Sequence, residues 1–140
     1  MVKEKKILSL GEIRESLAPI FEEEGLQFIL LFGSAAQEKR HKQSDIDLAF
    51  FYDRPVDIIE LTNKVIRLLH TDSIDVIDLS RASPLLRFSA VKNGKILYAK
   101  TPGVFHRYCS LAFRMYADSK KLRDAQAKAI RHFLEVRRVV

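Results

Sequence analysis

The stretch that decides the fold runs from Phe28 to Phe51 and reads FILLFGSAAQEKRHKQSDIDLAFF. Its first five residues are all apolar and are followed by Gly33, a pattern typical of a β-strand that is buried in a sheet. A polar connection leads to a second apolar run, which contains the Asp-x-Asp pair Asp45 and Asp47. The stretch therefore predicts a strand, a polar connection and a second strand with two carboxylates.

The polar connection begins with the residues of a phosphate-binding turn. Gly33 lets the backbone approach a ligand closely because it has no side chain. Ser34, with Gln37 three residues later, predicts a capping box at the start of a short helix. The free N–H groups and partial positive charge at a helix start suit a phosphate chain. Two further residues of the connection, Lys42 and Ser44, are candidates for phosphate contacts.

The Asp-x-Asp pair predicts a metal site. Residues two apart in a strand share a face, so Asp45 and Asp47 project together while Ile46 and Leu48 pack behind them. Two carboxylates on one face repel each other unless a cation lies between them, and Mg²⁺ prefers carboxylates together with substrate phosphates. Either motif alone is common in turns and on solvent-facing surfaces. The combination is much less common.

The segment SIDVIDL, residues 73–79, predicts another strand and offers a third carboxylate. Alternation places Ile74 and Val76 on one face and Asp75 on the other. A mid-strand carboxylate in an apolar setting is costly unless it is paired or binds metal, so Asp75 is the candidate third ligand. Asp78, at the strand end, is expected to be solvated or to cap a turn.

These motifs carry a family resemblance. Gly33-Ser34, ten further residues, Asp45-x-Asp47 and a later strand Asp resemble the signature of the DNA polymerase β nucleotidyltransferase superfamily. The short chain is similar to the minimal nucleotidyltransferase (MNT) proteins, which are commonly encoded as antitoxins beside HEPN-domain toxins. One departure is that Gln37 and Glu38 stand where many relatives carry Arg and Gly.

The resemblance implies an α/β (α+β) fold, with a small mixed β-sheet flanked by helices, and a Mg²⁺-dependent nucleotidyltransferase that uses ATP. An acceptor hydroxyl would attack the α-phosphate, and pyrophosphate would leave. Asp45 and Asp47 would hold two metal ions, and Asp75 would ligate the acceptor-side metal and help to deprotonate the hydroxyl. Gly33 and Ser34 would hold the outgoing phosphates. The implied acceptor is a tyrosine of a cognate HEPN toxin.

Two other functions stay open. The chain could be a non-catalytic antitoxin that neutralises its partner by contact, or it could transfer a nucleotide to a small molecule such as an aminoglycoside. Enzymes of the latter kind are generally larger and have a separate substrate domain. The presence of all three carboxylates favours the enzyme. No Arg and His lie at the spacing expected of a HEPN nuclease, so the chain is not expected to be the toxin.

Composition predicts one cytoplasmic domain. The 140 residues, 47% of them hydrophobic, are enough to bury a single core. No apolar run approaches the length that spans a membrane, and the charged N-terminus lacks the apolar region of a secretory signal. Cys109 is the single cysteine, so no disulfide forms within the chain.

Four predicted strands alternate with helices. The nucleotidyltransferase core is predicted to span residues 1–100, and residues 101–140 to form a C-terminal helical extension packed on the same domain. A break is predicted near Ala117-Asp118-Ser119, where Asp or Ser could cap a second helix. Three tyrosines in apolar patterns are predicted to belong to the core: Tyr98, Tyr108 and Tyr116.

The extension carries the charge. Residues 101–140 contain nine Lys or Arg and three Asp or Glu, which accounts for the whole net charge of +6. This surface could dock an acidic partner, or it could be the solvated face of a helix that packs on its own domain. Direct nucleic-acid binding is not expected. Because the apolar positions after Leu122 exceed what a small sheet can cover, a homodimer or a hetero-oligomer through the C-terminal helices stays open.

Overall fold

A computed structural model of the chain describes residues 8–32 and 45–137. These residues form helices and strands in the following order: α1 (Leu10–Phe21), β1 (Leu26–Phe32), β2 (Ile46–Tyr52), α2 (Ile58–Leu69), β3 (Ile74–Asp78), α3 (Pro84–Asn93), β4 (Lys95–Ala99), α4 (Pro102–Asp118) and α5 (Lys120–Val136). The predicted alternation of four strands with helices is confirmed. The short helix predicted after Ser34 lies outside the described residues.

The four strands form one mixed sheet in the order β3-β2-β1-β4. β1 is antiparallel to both β2 and β4, whereas β2 and β3 are parallel. In the register, Phe32 at the end of β1 lies opposite Asp47, and Asp47 lies opposite Asp75. The end of β1 and the starts of β2 and β3 therefore meet at one end of the sheet, called the site end below.

Helices cover both faces of the sheet. α1 and α2 pack on one face, against the even-numbered residues of β2, among them Leu48 and Phe50. α3 and α4 pack on the other face, where Ala49 of β2 belongs to a second buried cluster. Because side chains alternate along a strand, Asp47 lies on the same face as Ala49. The two clusters together make a three-layer arrangement with the sheet in the middle.

Aromatic side chains hold α4 on the sheet. The fully buried ring of Phe28 contacts the rings of Phe51, Phe105 and Tyr108, with centroids between 5.1 and 5.4 Å apart. The Tyr108 hydroxyl donates a 2.9 Å hydrogen bond to the carbonyl oxygen of Leu79, just after β3. Burial raises the pKa of Tyr108, so this donor stays protonated. The prediction that Tyr108 is a core residue is confirmed.

The other two tyrosines are half-buried rather than fully buried. The ring of Tyr98 stacks on Phe21 at 4.5 Å, and the ring of Tyr116 stacks on Phe88 at 4.0 Å. Both therefore pack against helices at the margin of the core.

The helix ends in the structure agree with the capping signals in the sequence. Ser9 and Glu12 form the predicted capping box, with the Glu12 N–H donating to Ser9 Oγ at 3.1 Å. Pro19 lies inside α1 but does not end it, since the helix continues to Phe21. α2 is followed by its C-cap residue His70, which takes the left-handed conformation at φ 55° that often closes a helix. Among the described residues, no helix has the length and apolar character needed to span a membrane.

The C-terminal segment divides near Ser119, as predicted, but not by capping. The backbone hydrogen bonds of an α-helix continue through Ser119, which donates to Met115 O at 3.0 Å and accepts from the N–H of Arg123 at 2.9 Å. The Ser119 hydroxyl instead donates to Tyr116 O at 2.9 Å. The capping interpretation is wrong, since a serine bonded back to the preceding turn bends a helix rather than starting one.

α4 and α5 differ in how they pack. α4 buries Tyr108 and Ala112 against the sheet, whereas α5 has no buried residue. The division of the chain at residue 100 into a core and a packed extension stays a prediction.

The core behind the site end can be tested by truncating Leu48, which is fully buried. Leu48→Ala is expected to lower the free energy of unfolding by about 2–5 kcal/mol, because it removes buried apolar surface and leaves a cavity. Ile59→Ala is the control, since Ile59 is 71% exposed and should change stability by less than about 0.5 kcal/mol. Urea unfolding followed by circular dichroism measures both, and equal losses would contradict this core.

Candidate active site

The predicted carboxylates converge on the site end. Asp47 in β2 lies directly opposite Asp75 in the neighbouring parallel strand β3, and Asp45 is the residue just before β2. The predicted alternation is confirmed: Ile46 and Leu48 lie in the cluster under α1 and α2, which leaves Asp47 on the other face. Adjacent strands lie about 4.8 Å apart, so the Asp47 and Asp75 backbones are immediate neighbours.

The three carboxylates interact electrostatically. The pKa of Asp47 is raised above its usual value, first by burial and then by the negative charges of Asp75 and Asp45. Asp47 is half-buried, whereas Asp45 and Asp75 are exposed. This arrangement concentrates negative charge at one end of the sheet, and a bound cation would relieve the repulsion.

Asp75 lies at this site for a different reason from the one predicted. The sequence predicts a carboxylate held in an apolar setting, but Asp75 is the second residue of an edge strand and is exposed. Parallel pairing with β2, not burial, brings it beside Asp47. The burial argument is therefore wrong, although the residue lies where the prediction put it.

Asp78 takes one of its two expected roles. Its side chain is only 10% exposed, so it is not solvated. It accepts hydrogen bonds from the backbone N–H and the hydroxyl of Ser80, at 3.0 and 2.6 Å, and so holds the turn that follows β3. The expectation that it caps a turn is confirmed, and the hydrogen bonds from Ser80 explain why a carboxylate lies here without a bound ligand.

Within residues 8–32 and 45–137, no three side chains of His, Cys, Asp or Glu are grouped closely enough to hold a metal ion. The backbone pairing of β2 with β3 nevertheless places Asp47 and Asp75 opposite each other. The donor set fits Mg²⁺ chemically, because it offers carboxylate oxygens on a face open to a phosphate-bearing substrate. The assignment of Asp45, Asp47 and Asp75 as metal ligands stays a prediction.

The predicted phosphate-binding residues lie outside the described residues: Gly33, Ser34, Lys42 and Ser44. The described ends of that connection are nevertheless informative. Phe32, the residue before the connection, lies opposite Asp47, and Asp45 is the residue directly after the connection. The two described residues that flank the connection therefore both lie at the site end of the sheet.

One positioning contact was not predicted from the sequence. The backbone N–H of Ile46 donates to the carbonyl oxygen of Ser73 at 2.9 Å and extends the pairing of β2 with β3 to the site end. This bond fixes the backbone between Asp45 and Asp47. Backbone pairing between segments so far apart in the chain leaves no local signal in the sequence.

A cleft of about 370 Å³ lies elsewhere, at the opposite end of β2. There Glu23 accepts a 2.7 Å hydrogen bond from the Tyr52 hydroxyl and pairs with Lys64. Burial and the Glu23 carboxylate raise the pKa of Tyr52. Because Tyr52 ends the strand that Ile46 begins, this cleft does not include the carboxylate cluster.

The polymerase β nucleotidyltransferase family (Polymerase beta, Nucleotidyltransferase) matches residues 15–102 of this chain. The chain belongs to this family. The matched range contains the whole sheet and all three carboxylates, and the described mixed sheet with flanking helices is the nucleotidyltransferase fold.

Similar proteins assign the chain to a smaller group within this family. The protein adenylyltransferase MntA of Aphanizomenon flos-aquae is 25% identical over 143 residues, covering 93% of this chain and 95% of that protein. A crystal structure of a toxin–antitoxin complex with AMP-PNP contains a chain 31% identical to this one, with a TM-score of 0.75 over 88% of this chain and 98% of that chain.

A structure of the tri-AMPylated HEPN toxin of Shewanella oneidensis with its MNT antitoxin gives 26% identity and a TM-score of 0.71, over 86% of this chain and 98% of that chain. The family and these relatives identify this chain as a nucleotidyltransferase of the MNT type.

The crowding of carboxylates should cost stability. Because the pKa of Asp47 is raised in the folded state, its ionised form disfavours folding at neutral pH. Asp47→Asn is therefore expected to raise the free energy of unfolding at pH 7 in the presence of EDTA. The gain should shrink as the pH falls through the raised pKa, where the wild-type carboxyl becomes neutral. Urea unfolding between pH 4 and 7.5 measures this, and a stability loss at pH 7 would contradict it.

Proposed function

We propose that this chain is an MNT-type antitoxin that transfers AMP from ATP to a tyrosine hydroxyl of a cognate HEPN toxin in the cytoplasm, and thereby silences the toxin. The observation that carries the proposal is the placement of Asp47 beside Asp75, with Asp45 next to them, in a chain of the nucleotidyltransferase family. The relatives named above, an adenylyltransferase and antitoxins solved with HEPN toxin or AMP-PNP, support the same function.

Mg²⁺ is part of the proposal. Asp45, Asp47 and Asp75 would hold it, because they are the carboxylates that interact at the site end. When bound, the ion supplies charge neutralisation for the phosphates and makes the acceptor hydroxyl easier to deprotonate. Gly33 and Ser34 stay the predicted contacts of the outgoing phosphates, with Lys42 and Ser44 beside them in sequence.

The protein's part in the reaction is mainly positioning and electrostatics. The toxin tyrosine would give its hydroxyl proton to the Asp75 carboxylate, and the resulting oxygen would form a bond to the α-phosphorus. The bond between that phosphorus and the oxygen bridging to the β-phosphate then breaks, and pyrophosphate leaves. Asp75 is suited to a protein acceptor because it is exposed on the edge strand of the sheet.

A second candidate function is neutralisation by contact alone. The observation in its favour is α5, whose basic surface is exposed along its length and contributes to no buried cluster. Under this alternative, the carboxylates would be dispensable for antitoxin action.

Labelled nucleotide separates the two functions. The full chain, Mg²⁺, α-³²P-ATP and the HEPN toxin encoded with it should yield labelled toxin. Asp45→Asn with Asp47→Asn should reduce the labelling rate by about a hundredfold or more, because the carboxylates that neutralise charge are lost. The control is Asp53→Asn, which removes an exposed carboxylate just after the far end of β2 and should keep the rate.

The outcomes of this assay are distinct. If the double variant labels the toxin as fast as the wild type, the carboxylates are not the catalytic groups. If the double variant no longer labels the toxin but neutralises it as well as the wild type does, contact binding replaces transfer as the function.

Metal binding can be measured without turnover. Mg²⁺ with AMP-PNP, in which an NH group bridges the β- and γ-phosphates, should raise the Tm of the wild type by a few degrees relative to AMP-PNP with EDTA, because ligands that bind only the folded state stabilise it. Asp47→Asn should lose this increase while Asp53→Asn keeps it. An equal increase in Asp47→Asn would show that Asp47 is not a ligand.

A further inference from the structure

α5 carries an apolar face that stays largely exposed in the described part of the chain. None of its residues is buried, and its large apolar side chains are between 51% and 67% exposed. The spacing of these side chains places them on one broad side of the helix. They are Leu122, Ile130, Phe133, Leu134 and Val136, and together they are called the α5 face below.

The helix is anchored at its start. The Arg123 guanidinium lies 3.8 Å from the centroid of the Tyr116 ring, and its Nε donates to Ser119 Oγ at 3.1 Å. Tyr116 in turn stacks at 4.0 Å on Phe88 of α3, so a continuous stack links α5 to the helices that cover the sheet. The orientation of α5 is therefore fixed at its start, while the apolar side chains further along meet solvent.

The charges beside the α5 face indicate what it can bind. Five Lys or Arg and two Asp or Glu lie on α5. Helical spacing places Lys120 and Arg131 along one margin of the α5 face. Arg137, just after the helix, lies among its apolar side chains, and its guanidinium is 3.7 Å from the centroid of the Phe133 ring. Two copies paired through this face would bring these cations together, which is unfavourable. A partner with an apolar centre and an acidic margin would bury the same face and pair the charges.

We propose that the α5 face is the surface that docks the HEPN toxin, and that the toxin meets it with an apolar patch bordered by acidic residues. This inference rests on the proposed function for the identity of the partner. It adds that docking and chemistry use different parts of the chain, because the carboxylates lie at the site end of the sheet and not on α5. Binding through α5 would hold the toxin while its tyrosine reaches Asp75.

The test uses Phe133→Glu in the full chain and the HEPN toxin encoded with it. Titration calorimetry should show toxin affinity weakened about tenfold or more, the loss expected when a central aromatic contact is replaced by a charge. Lys128→Gln is the matched control, since it lowers the net charge by the same amount but lies on the opposite side of α5; it should change the affinity less than about twofold. Circular dichroism checks that both variants keep their helix content.

Two further measurements separate docking from catalysis. In the labelling assay, Phe133→Glu should raise KM for the toxin and leave kcat unchanged, because an interaction outside the reacting groups is lost. Toxin affinity of the wild type should fall as NaCl is raised, and Arg131→Glu should lower it further.

Unchanged toxin affinity in Phe133→Glu would overturn the docking surface, and labelled toxin in the same experiment would leave the proposed transfer intact. Loss of labelling in the carboxylate variants with normal affinity concerns the chemistry alone. Light scattering on the chain without toxin gives the remaining outcome. A dimer that Phe133→Glu dissociates would overturn the proposal, because a second copy would then cover the α5 face.

Discussion

The parallel pairing of β2 with β3 is the constraint on which the site depends. It sets Asp47 beside Asp75, and the bond from the Ile46 N–H to the Ser73 carbonyl extends the pairing to where Asp45 begins. A shift of one residue in β2 would exchange its two faces, burying Asp47 under α1 and α2 and moving Leu48 out of that cluster to the other face. Since a buried carboxylate without a partner and the loss of Leu48 from this cluster are both unfavourable, the hydrophobic core enforces the register that the carboxylates need.

The same arrangement costs stability. Burial and two neighbouring carboxylates act against the ionised form of Asp47. The next three residues, Leu48, Ala49 and Phe50, are fully buried, and they pack against helices on both faces of the sheet. Well-packed apolar residues thus directly follow Asp47, and the stability that they provide lets the domain retain a destabilising carboxylate.

Local features of this fold could be predicted from the sequence, and long-range ones could not. The Ser9 capping box and the alternation around Asp47 depend on near neighbours in the chain. The position of β3 at the sheet edge, which exposes Asp75, depends on which strands pair. Ser119 failed as a predicted cap for a related reason, because whether a serine starts or bends a helix depends on whether the helix continues through it. The predicted Gly33–Ser44 part of the site lies outside the described residues.

The exposure of the carboxylates argues for a large acceptor. Pockets for small ligands bury most of the ligand surface, whereas Asp45 and Asp75 lie at an open sheet end where a protein loop can approach. An open site gives little binding energy of its own, so a protein acceptor must be held by other contacts. The charge distribution supplies them, since the first 100 residues are neutral overall and the whole excess of positive charge lies in the C-terminal 40. Such a charged, amphipathic surface can raise the rate of encounter with an acidic partner and orient it, leaving the carboxylates to act on whichever hydroxyl is brought to the sheet edge.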